Sequence, residues 1–592
     1  VLDLAGTTGG ATLQHDGSGA LILSASPTVT GNGVKTLTLA GTSTAANELQ
    51  GVIANGASNT AVTKSGTGTW RLAGVNTYAG STTVSAGTLV ATNSASFGVG
   101  TLALAGGAVH GDGSPLTLAN ALSIAANSTL GGASDLTFSG NFNLGTTNRT
   151  LTVSNTGATT FAGILSNTAG FTKAGTGTWS LNATNVIADD ILVNLGTLNV
   201  NASQQTTDDF VVTGGASPTI VNLNVANAHQ GDDFFIRSGA TVFLGVNGAL
   251  SNNATNGMDA LLIGDSGTSG ATLDLKGRTG NTVNAATIGT NDTISGFIID
   301  SVGGGDISST GWTVRFGEAS ATLAGATLAK NGAGTFTLSG NNTYTGATTV
   351  TEGTLLLDYT TRNGSKIASA AGVTIGGAAT DTTATLNFNG NASAPSTQAF
   401  TTLTISQGSN NFVATSNGGQ AMNVNFTTIT RNAGGTIDFS LPAVGSITST
   451  QAFTNGALGY ATVSNGAAFL SKDGSNNLLA LVPTVQDDVT TWLAANNVGD
   501  SASGFSGLIS GCIAVNSITF NTAGSTVNSA GVLGIGSGGI LITSTATGAQ
   551  MTGGVLRSGL NDVIVHQYAT GDFVLNPVIT GSTAIKIGRA HV

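Results

Sequence analysis

Gly264-Asp265-Ser266-Gly267 is the most tempting place in the chain for a nucleophile. A serine nucleophile needs a histidine base and an orienting carboxylate within hydrogen-bond reach. The upstream histidines, His15, His110 and His229, stand in no context that suggests such a base, and Thr272-Leu273-Asp274-Leu275 follows as an alternating strand. Ser266 therefore reads as a turn residue. Carboxylates occur in pairs at Asp189-Asp190, Asp208-Asp209, Asp232-Asp233 and Asp487-Asp488. Acid–base work on a sugar needs two carboxylates facing one cleft, and with a nearby cation Asp232, Asp233 and Arg237 form the best set. Neighbours on a strand point to opposite faces, so one of each pair is expected to solvate a corner. Calcium at Asp112, Asp306 or the pairs is a further option, but Gly303-Gly304-Gly305-Asp306 stands alone and not as a repeated nonapeptide. Trp70, Trp179 and Phe336 would make a sugar-stacking row, yet each alternates with Leu72, Leu181 or Leu338 as core residues do. His566 sits in an apolar run, as a satisfied core or turn residue does, and Cys512 reads as a small buried apolar side chain. No residue is assigned a catalytic, cofactor-binding or metal-binding role, and no cofactor is expected.

Any such group must be held by unusual elements. The 592 residues include 88 Gly but 7 Pro and 1 Cys, and only 8% are charged, against about a quarter in an ordinary soluble domain. With 40% apolar residues the chain is not disordered, and without a three-residue glycine period it is not collagen. A net charge of −11 with 17 Lys and Arg leaves no basic stripe for phosphates, so nucleic acid is excluded as a partner. A single cysteine rules out a disulfide framework, and no apolar run is long enough for a membrane helix. The chain begins at Val1 without Met, so an upstream segment is expected.

Short alternating runs such as Thr36-Leu37-Thr38-Leu39 and Thr101-Leu102-Ala103-Leu104 recur between Gly, Asn, Ser and Asp, and they predict strands. Asp487 to Asn497 is the best helix candidate and reads equally well as strand. One pattern returns at Lys64, Lys173 and Lys330, with ten offsets identical: the Lys, two Gly, Thr, Leu, Asn, Val, then Gly-Thr-Leu. Inside each copy Gly-Thr-aromatic recurs as Gly-Thr-Leu nineteen residues later. A period near twenty with three short strands is one coil of a parallel β-solenoid, whose coils stack at about 4.8 Å. This places Trp70 on Leu89 and Phe336 on Leu355. Trp70, Leu72, Val84 and Leu89 should face inward, Arg71 and the intervening Thr outward, and Gly should take the corners. Sandwich domains remain an alternative, weakly supported by Asn55-Gly56, Asn247-Gly248 and Asn465-Gly466.

The copies resemble the autotransporter-associated β-strand repeat, also called the passenger-associated transport repeat, of large bacterial surface proteins. The match is carried by Lys-x-Gly-x-Gly-Thr-aromatic-x-Leu, Asn-Thr-Tyr-x-Gly and Thr-Thr-Val-x-x-Gly-Thr-Leu. Copy two departs, with Val186-Ile187 for Thr-Tyr and Asp189 for Gly. The stretch from Asn516 to Lys586 is similar to what lies between such repeats, and a fourth copy starts at Lys586. The resemblance implies a secreted or outer-membrane-associated cell-surface passenger, with an export signal and, in many relatives, a C-terminal barrel outside this chain.

The resulting expectation is an all-β, right-handed parallel β-helix forming a single elongated body. Residues 1–483 hold the repeats at 64–93, 173–201 and 330–359, 484–586 continue the solenoid, and 587–592 read as a sequencing-adapter artefact. About twenty-five coils give a monomeric rod on the order of 100 Å or longer. Its expected role is a non-catalytic passenger or stalk for adhesion or display, meeting glycans or cell surfaces without membrane insertion. The alternatives are a β-helical polysaccharide-active enzyme and a pure scaffold.

Overall fold

The structure, a computed structural model, describes residues 2–588 except 8, 168, 207, 216, 252–257, 268, 378–381, 561, 582 and 583. Residues 589–592 of the suspected adapter lie outside the described residues. The fold is a parallel β-solenoid. Helix among the described residues is confined to the 3₁₀ turns Thr454–Gly456 and Val489–Thr491, the second inside the ambiguous Asp487 to Asn497 segment. No described helix is long and apolar enough to cross a membrane. The chain divides into two compact units, 1–308 and 309–592.

In the first unit the strands stack in parallel lanes, coil on coil. One lane runs through Gly9–Gln14, Lys35–Ala40, Thr60–Lys64, Thr82–Val84, Leu102–Leu104, Leu122–Ile124 and Phe142–Asn143. The next contains Thr69–Leu72, Thr88–Ala91, Ala108–Gly111, Ser128–Gly132, Arg149–Val153 and Phe171–Ala174. Trp70 pairs with Leu89 and Trp179 with Leu198, while in the second unit Phe336 pairs with Leu355, all as the nineteen-residue self-similarity predicts. Alternation then buries Trp70, Leu72, Val84 and Leu89 and leaves Arg71 half-exposed, where it ion-pairs with Asp112 two coils on. Lys64 lies in the first of these lanes but Lys173 in the second, so the first two repeats present the same corner on different faces of the coil.

The invariant lysines are wholly buried. Lys64 Nζ donates to the carbonyls of Ser65 (2.8 Å), Gly66 (2.7 Å) and Ala86 (3.1 Å). Lys173 donates to Ala174, Gly175 and Leu195, and Lys330 to Asn331, Gly332 and Glu352, at the same three offsets. Each ammonium thus closes its own corner and the corner of the following coil. The invariant Gly87 explains itself here: its φ is 63°, and a Cβ would lie 2.6 Å from Lys64 Nζ and 2.4 Å from two carbonyl oxygens.

The invariant asparagine is a second rivet. Asn76 Oδ1 accepts from Ile53 N in the preceding coil (2.8 Å), and its Nδ2 donates to Ser96 O in the following one (2.7 Å). Asn342 does the same between Leu323 N and Lys366 O, and Asn185 between Leu165 N and Gln204 Oε1. The departure of copy two also has a physical basis. Tyr78 bonds Thr82 (2.6 Å) and Tyr344 bonds Thr348 (2.8 Å) through buried hydroxyls, whereas Ile187 and Ile191 occupy both equivalent positions. Replacing both partners of a buried hydrogen bond together strands neither.

The second unit continues this pattern from Thr335–Leu338 through Gly353–Asp358, Ala384–Asn389, Gly408–Thr415 and Gly435–Ser440 to Leu458–Val463. There the parallel stack gives way to antiparallel strands, Ala468–Lys472 and Leu478–Ala480. From Thr484 onward the strands form new sheets around a core of their own that includes Trp492, Phe505, Ile518, Phe520 and Ile540. This part docks on the earlier coils of the same unit through a buried polar seam. Arg431 Nη2 pairs with Asp562 (2.7 Å), His566 Nε2 bonds Gly459 O (3.0 Å) and Tyr568 OH bonds Thr462 (2.9 Å). Cys512 is exposed and not buried as expected, because alternation in Cys512–Phe520 turns Val515 inward and position 512 out.

Burial pushes Lys64 and Lys173 down to about 8, while the carbonyl bonds favour the charged form. Lys64→Met leaves three inward carbonyls without their donor and should cost about 3 kcal/mol at pH 7. In equilibrium melts the parent should gain on this variant as pH rises from about 8 toward 10.5, since over that window the unfolded chain binds the lysine proton more than the folded one.

Candidate functional site

The carboxylate pairs come together in the first unit. Ile191–Val193, Phe210–Val212 and Phe234–Ile236 are stacked neighbours, and each is preceded by an Asp-Asp pair. Two rows result, Asp189, Asp208 and Asp232 in one and Asp190, Asp209 and Asp233 in the other. Backbone bonds hold the second row: Asp190 Oδ1 accepts from Asp209 N (3.2 Å) and Asp209 Oδ1 from Asp233 N (3.4 Å). Asp208 and Asp232 are exposed while Asp209 and Asp233 are half-buried, in line with one member of each pair facing solvent, and stacking between coils gathers both members into rows. The signal was present in the sequence as the spacing of the pairs, close to one coil.

Stacking like charges at strand spacing is costly. Burial, then repulsion from Asp190, Asp208 and Asp233, pushes Asp209 up to about 6 against the bond from Asp233 N. Asp190, Asp232 and Asp233 are also raised, each mainly by desolvation. Ligand atoms of Asp189, Asp190 and Asp208, and of Asp208, Asp209 and Asp232, lie within 4.8 Å of one another. Such all-oxygen sets suit a hard cation such as Ca²⁺. They do not make an acid–base pair across a cleft, and Arg237 is committed elsewhere, to Asp265 (3.1 Å) and the ring of Phe235.

The other candidates stay apart. Ser266 is exposed and its Oγ faces Asp265 Oδ1 at 3.4 Å; among the described residues no histidine bonds it. His229 is buried against Phe210 and Phe234, and burial pushes it down to about 4, hence neutral at pH 7. Asp112 is paired with Arg71, and Asp306 accepts from Gly280 N. Asp488 caps the turn Val489–Thr491 by accepting from Thr490 N, and Asp487 accepts from Ser501. Trp70, Trp179 and Phe336 are buried, so they form no exposed stacking row.

Stacked coils with internal lysine corners define a β-solenoid of repeats. Residues 62–91, 171–200 and 328–357 match the family model of the passenger-associated-transport repeat, two residues upstream of the starts read from identity. The chain therefore carries three such repeats, the kind found in autotransporter passengers. No curated protein and no solved structure matches it.

With a folded pKa near 6 and an unfolded one near 3.8, Asp209 contributes stability that is full below pH 3.8 and lost as pH rises to about 6. Asp209→Asn should flatten that slope and raise the melting temperature at pH 7. A serine-directed fluorophosphonate should leave Ser266 unlabelled; stoichiometric labelling abolished in Ser266→Ala would make it a nucleophile.

Proposed function

We propose that the protein is a non-catalytic passenger at the bacterial cell surface, acting by adhesion or display through its area. The observation that carries this reading is the combination of the repeats with outer faces that bear ladders of uncharged hydrogen-bonding groups. Asn222 Nδ2 donates to Asn199 Oδ1 (2.7 Å), Asn224 to Asn201 and Asn201 to Asn182 across successive coils, and Thr402 meets Thr428 at 2.9 Å. Ladders of amides and hydroxyls suit weak, repeated contacts with glycans or other neutral surfaces, and multivalency turns weak contacts into useful avidity. The polysaccharide-enzyme alternative draws on the acidic rows, but their carboxylates lie side by side along the stack, not on opposite walls of a cleft.

Binding of the full chain to cells and to immobilised glycans should change only slightly between low and high salt, because few charges take part. Polysaccharide turnover should be undetectable. Bond cleavage that disappears in Asp232→Asn or Asp233→Asn would move the protein to the enzyme class, and absence of all binding would leave a scaffold.

A further inference from the structure

We infer that a cleft in the second unit binds one neutral hexopyranose unit of a glycan. The inference rests on the adhesive reading and gives it a specific site. The cleft lies where the segment 451–460 passes the strands Cys512–Phe520 and Val532–Ile542, and it encloses about 280 Å³. That is just below the range of drug-sized sites, about 300–1,000 Å³, and suits a single sugar ring.

Its lining is neutral throughout. Gln451, Thr454, Asn455, Asn516 and Ser537 bring amides and hydroxyls, and Tyr460 brings an aromatic ring beside Leu458 and Leu560. Asn516 is the anchor. It is 2% exposed, its Nδ2 is spent on Asn497 Oδ1 (2.8 Å), and its backbone is tied to Asn496 O and Ser537 Oγ. Its Oδ1 has no hydrogen-bond partner among the described residues and lies beside Gly536 at the cleft, where a Cβ at 536 would sit 3.2 Å away. A rigidly held carbonyl oxygen open to a small cleft can take a donor from outside, and a sugar hydroxyl is one.

Tyr460 supplies the apolar complement. Its ring is half-buried, Arg431 lies 5.5 Å from its centroid, and its hydroxyl, pushed up to about 12 mainly by burial, stays protonated as a donor or acceptor. Arg431 is already paired with Asp562 and is no counter-ion for an anionic ligand. An aromatic ring, an open carbonyl, several hydroxyls and no charged lining residue together favour a neutral polyol over uronic and sialic acids.

The test is saturation-transfer NMR on the full chain with methyl α-glucoside, methyl β-galactoside and methyl α-mannoside, with glucuronate and sialic acid as charged probes. At least one neutral glycoside should bind with a millimolar Kd, and the charged sugars should not. Tyr460→Ala and Gly536→Val should each weaken binding at least about tenfold. Gly536 is exposed and has no positive φ, so its valine fills the cleft without backbone strain and serves if Tyr460→Ala fails to fold. Absence of binding by every neutral glycoside at roughly 50 mM, equal binding of charged sugars, or binding unchanged in Gly536→Val would overturn the site. Cell binding that survives Gly536→Val, with no glycoside bound by the parent, removes the cleft and keeps the adhesive reading. Glycoside binding without cell binding does the reverse.

Discussion

A solenoid corner turns backbone carbonyls toward an interior that water does not reach, and a carbonyl stranded there costs as much as a lost hydrogen bond. The buried lysine meets this constraint. One ammonium has three protons to give and no acceptor of its own, so it can satisfy three converging carbonyls in one place. In each repeat it does so from two successive coils, with Ala86, Leu195 or Glu352 supplying the third oxygen. The two positive-φ glycines of the corner, Gly66 and Gly87 in the first copy, follow from this arrangement, since they turn the chain around the ammonium and leave it room. The lanes of Trp, Leu and Val behind the corner then pack as ordinary hydrophobic ladders.

Much of this was legible in the residues. The nineteen-residue self-similarity located the register of Trp70 on Leu89 and Phe336 on Leu355 because stacked coils impose a period that composition alone does not. The roles of the invariant Lys and Asn were not legible. A lysine is ordinarily a surface residue, and only the positions of the carbonyls it serves reveal that it is inside. Cys512 was misread for the opposite reason: type argued for burial, while alternation within its strand decided exposure. The acidic rows were half visible. The pairs and their solvent-facing members were evident, but the pairs sit at strand entrances, and it is stacking between coils that decides which carboxylates meet.

Charge is used sparingly and unevenly. The outer faces carry amide and hydroxyl ladders, whereas the acidic pairs of the first unit crowd into two rows with raised carboxyl pKa values. In the second unit one pair, Arg431 and Asp562, is spent on docking, nearly out of solvent beside His566. The cleft near Tyr460 lies next to that seam, so its neutrality depends on a cation already neutralised by its partner.

The rivets have one more property, which concerns time and not shape. Each ties residues about twenty apart, as in Lys64 to Ala86 and Asn76 to Ser96. No rivet requires a distant part of the chain, so the entropy of closing one coil is nearly the same wherever the coil lies, on the order of the cost of a twenty-residue loop. Folding can therefore advance by accretion, each finished coil offering a template edge to the next, and unfolding can start at a weak coil and run outward. Damage to one corner is then felt chiefly by its neighbours, and a chain of such coils tolerates variation between corners that a single globular core would not.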